Sequence, residues 1–343
     1  MAYTIRLEPS GHQFSARADE NLLDAAARHG LTLPYGCRNG QCGSCKARLR
    51  DGRVAYPDPE ALPGLTADEL QAGYALLCQA RPASDLALEV SEIQTADGLR
   101  PQRFAARVAG LERLNHDVMR VQLQLPRDRR LPFFAGQYID IVTRSGHRRA
   151  FSLANPPHDD RTIDLHVRYV AGGEFTEHVF NRMRVGEVLQ VDGPRGTFFL
   201  REQGSAPVLL VAGGTGFAPV KAILEHAFHV GLERPLQLYW GVRAVRDLYL
   251  AALPERWARE HANFGYVPVL SEPRPEDAWG GRTGFVHEAL LADHPDPAAF
   301  EVYACGPPVM VKAVHAALTA AGLPPARFFS DAFEFGALSD GKK

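Results

Sequence analysis

The stretch Pro34-Tyr35-Gly36-Cys37-Arg38-Asn39-Gly40-Gln41-Cys42-Gly43-Ser44-Cys45-Lys46 decides how the first third of this chain must fold. Its cysteines are spaced C-x4-C-x2-C, and a fourth, Cys78, follows after 32 residues. This is the plant-type ligand spacing of a [2Fe–2S] cluster. Each of two irons takes two thiolates, so one tight loop supplies three and a separate element supplies the fourth. Gly36, Gly40 and Gly43 let the backbone fold around a small inorganic core with N–H groups turned toward sulfur. A structural zinc site shows two C-x2-C pairs or a Cys/His mixture; here only Cys42 and Cys45 form such a pair. A redox C-x-x-C opens a helix after a strand and has no use for Cys37 and Cys78. A disulfide set belongs to secreted chains. Met1 to Ser10 carries Arg6 and Glu8 and lacks the apolar stretch of a secretory signal.

Around this loop the composition is that of an ordinary globular protein. The 343 residues suffice for two or three domains with cores of their own. Hydrophobic residues make up 45% and charged residues 23%, and the net charge of −2 leaves no basic footprint for nucleic acid. No apolar run approaches the ~20 residues needed to cross a bilayer. With four of five cysteines assigned to a cluster, a reducing, cytoplasmic location is expected.

Before the cluster loop, Tyr3, Ile5 and Leu7 alternate with polar residues as a strand does, and Gly11-His12 turns the chain into a second strand over Gln13 to Ala18. Asn21 is placed to cap a helix running to Arg28, with Gly30 just past its end. After the loop, Lys46 to Val54 reads as a strand with an Asp51-Gly52 turn. Thr66-x-x-Glu69 is a capping box for a short helix that delivers Cys78. Leu86, Leu88 and Val90 alternate as a closing strand. Arg38, Lys46, Arg48, Arg50 and Arg53 lie on or just after the loop. They are either a solvated strand face or a docking surface for an acidic acceptor.

Two later stretches carry chemistry. Pro207 to Ala212 is the continuous apolar run of a buried parallel strand, and it feeds Gly213-Gly214-Thr215-Gly216-Phe217-Ala218-Pro219. Val220, Ile223, Leu224, Ala227 and Phe228 then mark one face of a helix. Strand, glycine turn and helix make a dinucleotide-binding arrangement, although not the G-x-G-x-x-G form. Further strands at 236–240, 266–270 and 301–304 end in Gly241-Val242-Arg243, Ser271-Glu272-Pro273 and Cys305-Gly306-Pro307-Pro308. Ligands of such sheets gather beyond the carboxyl ends of the strands. Between this sheet and the cluster region, strands are expected at 104–111, 118–125 and 138–142, before Arg149-Ala150-Phe151-Ser152-Leu153.

Taken together, these motifs resemble the iron–sulfur flavoprotein NAD(P)H reductases of the ferredoxin reductase superfamily. Their members include reductases of CDP-6-deoxyhexulose dehydration and of bacterial oxygenases such as phenol hydroxylase. The resemblance spans nearly the whole chain. It implies a β-grasp ferredoxin domain at 1–93 and a linker at 94–101. A six-stranded antiparallel β-barrel for flavin at 102–200 and a Rossmann-like parallel α/β nicotinamide domain at 205–335 would follow. Cys37, Cys42, Cys45 and Cys78 would ligate the cluster. Arg149, Phe151, Ser152 and Leu153 resemble the flavin motif R-x-Y-[ST], with Phe151 in place of the usual Tyr. Arginine would hold a flavin phosphate, and the aromatic would pack on the ribityl chain and ring. His166, Arg168, Gly172, Gly173, Phe175 and Thr176 would complete the flavin site. Thr176 would open a helix whose N-terminus suits the pyrophosphate of FAD. Gly193 to Phe198 resembles the last barrel strand.

Gly214, Thr215, Gly216, Arg243, Cys305, Gly306 and Pro307 would bind the nicotinamide dinucleotide. Asp331 and Phe333 resemble the family's C-terminal E-x-F, with Asp for Glu. Ser152 and Cys305 are the candidates for shaping the hydride site. Glu272 after Ser271 favours NADH over NADPH, because a 2′-phosphate needs basic partners there. The expected route runs from NADH through FAD and the cluster to a redox acceptor protein. That acceptor would be a CDP-4-keto-6-deoxyglucose-3-dehydrase or, as the alternative, an oxygenase. A passive electron carrier or redox sensor is the reading of another class. The chain is expected to act as a monomer.

Overall fold

The computed structural model describes residues 1–58, 62–90 and 101–333. It divides into two compact units, Met1–Leu99 and Arg100–Lys343. The linker expected at 94–101 lies, but for Pro101, outside the described residues, as do 91–93 and 334–335 of the domains expected beside it. Among the described residues no helix is long and apolar enough to cross a membrane.

In the first unit, alternation drives β1 (Ala2–Glu8), whose Ile5 and Leu7 are fully buried, into a hairpin with β2 (Gln13–Arg17). The Asn21 side chain accepts the Asp24 N–H and caps α1 (Leu22–Arg28), which buries Leu22, Leu23, Ala25 and Ala26. After the cysteine loop come β3 (Lys46–Asp51) and β4 (Val54–Ala55), then α2 (Ala67–Gln71), which begins with the expected Thr66/Glu69 capping box. The helix does not deliver Cys78 directly: β5 (Tyr74–Leu76) intervenes and pairs with β3. β6 (Arg81–Pro82) pairs with β4, and β7 (Leu86–Glu89) follows. The sheet order is β2-β1-β7-β3-β5, so the last strand in sequence is central in space. The physical reason is that Leu86, Ala87 and Leu88 are buried in succession, which needs cover on both faces.

The second unit holds two sheets. β8 (Gln102–Arg113), β9 (Val118–Gln124), β10 (Tyr138–Val142), β11 (Arg148–Ser152), β12 (Thr162–Arg168) and β13 (Val188–Arg195) pair antiparallel in the order β11-β10-β13-β8-β9-β12. A bridge from Leu153 to Leu165 links the two ends of that order into a barrel. α3 (Glu174–Asn181) lies between β12 and β13. The other sheet is parallel throughout. It contains β14 (Val208–Gly213), β15 (Leu236–Val242), β16 (Phe264–Leu270), β17 (Arg282–Thr283), β18 (Glu301–Gly306) and β19 (Phe328–Ala332), in the order β17-β16-β15-β14-β18-β19. α4 (Phe217–His229), α5 (Ala252–Glu260), α6 (Val286–Asp293) and α7 (Pro308–Ala320) make its crossovers. Every residue of β14 is buried. The chain leaves β14 in one direction and returns beside it with β18, so the topological switch lies at the carboxyl ends of these two strands.

One buried charge ties the barrel strands together. Asp192 on β13 receives Arg148 at 2.6 Å and both Arg103 and Arg195 at 2.7 Å. Burial alone would raise its pKa, but the three guanidinium hydrogen bonds prevail and hold it at about 2. Asp192→Asn is expected to cost about 3 kcal/mol at neutral pH, because it leaves arginines facing a neutral buried group. The folded-state pKa lies below the ordinary 3.8, so the carboxylate's contribution is complete above that value and lost as pH falls through about 2. Urea unfolding of parent and variant should therefore converge in strong acid.

Candidate functional site

The cysteine loop brings its thiols together as two pairs. Cys37 hydrogen-bonds Cys42, and Cys45 hydrogen-bonds Cys78. The first pair is half-buried and the second buried. The hydrogen bond from Cys37 holds Cys42 down at about 5, whereas its own bond to Cys78, with burial, pushes Cys45 up. Among the described residues, no three His, Cys, Asp or Glu side chains converge as a single metal ion requires. Two pairs suit two irons with two thiolates each. Backbone donors surround the sulfurs: the Cys37 N–H points at Cys42 Sγ and the Cys42 N–H at Cys37 Sγ, both at 3.4 Å, and the Ser44 N–H reaches Cys42 Sγ at 3.5 Å. Gly40 and Gly43 have φ of +88° and +78°, which permits this curvature. Gln79, which no motif signalled, donates to the Arg38 carbonyl at 3.0 Å and so ties the Cys78 segment to the loop.

Three of the five basic residues on or after the loop are paired with carboxylates. Arg38 pairs with Asp24, Lys46 with Glu69 at 2.5 Å and Arg50 with Glu89 at 2.6 Å. The solvated-face reading accounts for these three side chains.

In the barrel, Arg149, Phe151 and Ser152 lie on β11, and Leu153 follows it. Phe151 packs against Phe175 of α3 with ring centroids 5.2 Å apart. Thr176 does not open α3: Gly173 is the N-cap and Glu174 the first helical residue. The Thr176 hydroxyl bonds instead to the Val170 carbonyl at 3.0 Å, closing the turn through Gly172. The Gly172 N–H donates to Glu177 at 2.8 Å. Glu174 receives the Ser145 hydroxyl at 2.7 Å, and that bond, with His147 and Arg149 nearby, holds its carboxyl below the usual range. Arg149 thus lies near the N-terminus of α3, an end that favours negative charge. His166 is buried, its Nδ1 3.0 Å from the Tyr249 hydroxyl. Burial foremost, with Lys221 and Arg120 nearby, pushes it down to about 3, so it is neutral at ordinary pH.

At the carboxyl ends of β14, β15, β16 and β18 lies a cleft of about 480 Å³. Gly214, Thr215, Arg243 and Pro307 line it. Arg168, expected with the flavin motif, lines it too. Gly216 and Gly306 form part of the packing beneath. A Cβ on Gly216 would stand 2.1 Å from the Cys305 carbonyl oxygen, and one on Gly306 would stand 2.9 Å from Gly213 Cα. Cys305 is fully buried, and burial, then Asp331, pushes its thiol up, keeping it protonated. Asp331 is opposite Cys305 in the β18–β19 register, and the Phe333 N–H donates to the Gly306 carbonyl at 2.8 Å. Motif reading missed Phe285 and Val309, which line the cleft although 61% and 77% exposed. It also missed Asp117, Asp247 and Tyr249. An apolar side chain left in water at a cleft is the signal, and it is visible only in three dimensions.

Two glycine substitutions test these geometries. A Cβ on Gly64 would lie 2.7 Å from the Gly40 carbonyl oxygen and 2.8 Å from Gly43 N. Gly64→Ala should therefore disturb the cysteine loop, lowering iron content or altering visible circular dichroism while leaving flavin content unchanged. Gly216→Ala should weaken NAD⁺ binding at least tenfold, about 1.4 kcal/mol, with cluster and flavin content intact; calorimetry would measure it.

Residues 5–83 match the 2Fe-2S iron-sulfur cluster binding domain, residues 105–200 the oxidoreductase FAD-binding domain, and residues 210–316 the oxidoreductase NAD-binding domain. The chain is 37% identical over 333 residues to a CDP-6-deoxy-L-threo-D-glycero-4-hexulose-3-dehydrase reductase of Yersinia pestis, covering 97% of this chain and 99% of the relative. It is 36% identical to the phenol hydroxylase P5 protein of Acinetobacter pittii, covering 91% and 88% of the two chains. The crystal structure of an Amycolatopsis cytochrome P450 reductase superposes with a TM-score of 0.75 at 34% identity, covering 96% of this chain and 98% of that one. With β-grasp, barrel and parallel sheet in this order, the chain belongs to the iron–sulfur flavoprotein reductases of the ferredoxin reductase superfamily, oxidoreductases that pass electrons from a nicotinamide dinucleotide through FAD and a [2Fe–2S] cluster to a partner.

Proposed function

We propose that this reductase serves a CDP-4-keto-6-deoxyglucose-3-dehydrase and draws its electrons from NADH. The acceptor assignment is carried by the 37% identity to the hexulose dehydrase reductase, which runs over 99% of that relative's length. The likeness to a phenol hydroxylase protein and a cytochrome P450 reductase supports an oxygenase as the second reading. Glu272 supports NADH: it is exposed next to Ser271 of the cleft, where a 2′-phosphate would meet its carboxylate. Five cysteines, none in a disulfide, suit a reducing cytoplasm.

The placement above supports the following residue roles. Cys37, Cys42, Cys45 and Cys78 hold the cluster. Arg149, with Gly172, Gly173 and Thr176 at the start of α3, holds the FAD phosphates; Phe151, Ser152, Leu153, Phe175 and His166 shape its ring and ribityl surroundings. Gly214, Thr215, Gly216 and Arg243 receive the dinucleotide, and Arg168 joins them. Cys305, Gly306 and Pro307 set the nicotinamide end, and Asp331 and Phe333 close it. When bound, FAD accepts a hydride's two electrons and releases them singly, the exchange a one-electron cluster needs. The chain itself binds, orients and keeps water out. The Cys305 thiol keeps its proton, and neutral His166 neither gives nor takes one near pH 7.

An anaerobic absorbance titration of the holoprotein tests the pathway. NADH should bleach flavin and then cluster absorbance at lower concentration than NADPH does; the reverse order of the two donors would overturn the NADH assignment. Mixed with a purified dehydrase and its sugar substrate, the protein should oxidise NADH faster than it does with an oxygenase component. A faster rate with the oxygenase would select the second reading.

A further inference from the structure

Two charged side chains of the dinucleotide cleft come from the barrel and not from the parallel sheet. Arg168 ends β12, and Asp117 sits in the turn between β8 and β9. The Arg168 Nε–H donates to Asp117 Oδ2 at 2.8 Å, and both residues line the cleft. Arg168 Nη1 lies 3.6 Å from where a Cβ on Gly214 would stand. Its guanidinium therefore faces the glycine turn that follows β14. Asp117 is itself fixed. Its N–H and that of Val118 donate to Asn115 Oδ1 at 3.0 and 2.8 Å, and the Tyr169 N–H donates to its carbonyl at 2.7 Å. Asn115 Nδ2 in turn donates to the Arg246 carbonyl at 3.0 Å, so the barrel turn is fastened to the loop after β15.

A carboxylate at the mouth of a site for a dianionic diphosphate is, on charge alone, a liability. Its geometry supplies the compensation. By taking Nε–H, Asp117 fixes the plane of the guanidinium, and the far edge, where each Nη carries one N–H turned away from Nε, is the fork that matches a phosphate. We propose that Asp117 is a positioning residue, aiming Arg168 at the diphosphate of the nicotinamide dinucleotide above the Gly214 turn. The inference rests on the reading of this cleft as the dinucleotide site.

The two effects of Asp117 have opposite signs, and two substitutions separate them. Asp117→Asn drops the charge but keeps an oxygen for Arg168 Nε–H. Asp117→Ala drops both. In calorimetric titrations of the holoprotein with NAD⁺ and with ADP-ribose, Asp117→Ala should bind about ten- to a hundredfold more weakly, the usual worth of one charge-assisted hydrogen bond. Asp117→Asn should restore parental affinity or exceed it. KM for NADH should rise in the alanine variant by more than kcat falls. Tighter binding by both variants would overturn the proposal, leaving Asp117 as a repulsive charge only. So would parental affinity in the alanine variant. Gly216→Ala, measured alongside, separates the two levels. If it too binds NAD⁺ as the parent does, the cleft reading falls and the proposal with it. If it loses binding while Asp117→Ala does not, the positioning role alone falls.

Discussion

The contact on which the nicotinamide half depends is between two stretches of backbone. Gly216 lies so near the Cys305 carbonyl that a methyl group would stand 2.1 Å from its oxygen, and Gly306 touches Gly213 in the same way. The glycine turn after β14 and the turn after β18 are therefore one object, a floor laid across the topological switch point. Arg168 and Asp117 reach the cleft above it from the barrel. The floor's tightness also explains why Cys305 is sealed in: the strand end that carries it is pressed under the neighbouring turn, and its thiol loses contact with water.

The cluster loop is built by the same device. Gly64 N–H donates to the Gly40 carbonyl at 2.9 Å, and no side chain fits between them. In both places glycine serves close approach, so that backbone N–H groups rather than side chains form the cradle. Amide dipoles held this way carry little entropy cost on binding, because nothing has to be ordered when the ligand arrives.

The parts of this protein legible in its sequence are those in which chemistry constrains spacing. Four thiolates around two irons permit few arrangements, and C-x4-C-x2-C with Cys78 is one of them. The apolar run into Gly213 and the helix face after it are equally local, and the parallel sheet follows from them. Strand order was less legible. Leu86, Leu88 and Val90 show an alternating pattern, but their strand sits between β1 and β3 because Ala87 is buried as well. The start of α3 was missed by three residues, since Thr176 is an acceptable capping residue and only the bonds it makes to Val170 show that it lies inside the helix. Arg168 was read with the motif nearest in sequence; its partner Asp117, 51 positions away, and the cleft that both line were not legible there. Proximity of that kind has no periodicity to betray it.

The pairing of Arg38, Lys46 and Arg50 with Asp24, Glu69 and Glu89 bears on how this protein meets its partner. A surface of neutralised pairs casts little field beyond the ~8 Å over which salt screens charges in physiological solution. Were such pairs all that an acceptor met, encounter would be governed by diffusion and shape, and its rate would depend little on ionic strength. Each pair can still exchange its internal carboxylate for one on an arriving protein. Charge on this face would then fix the register of a complex after contact while doing little to hasten contact.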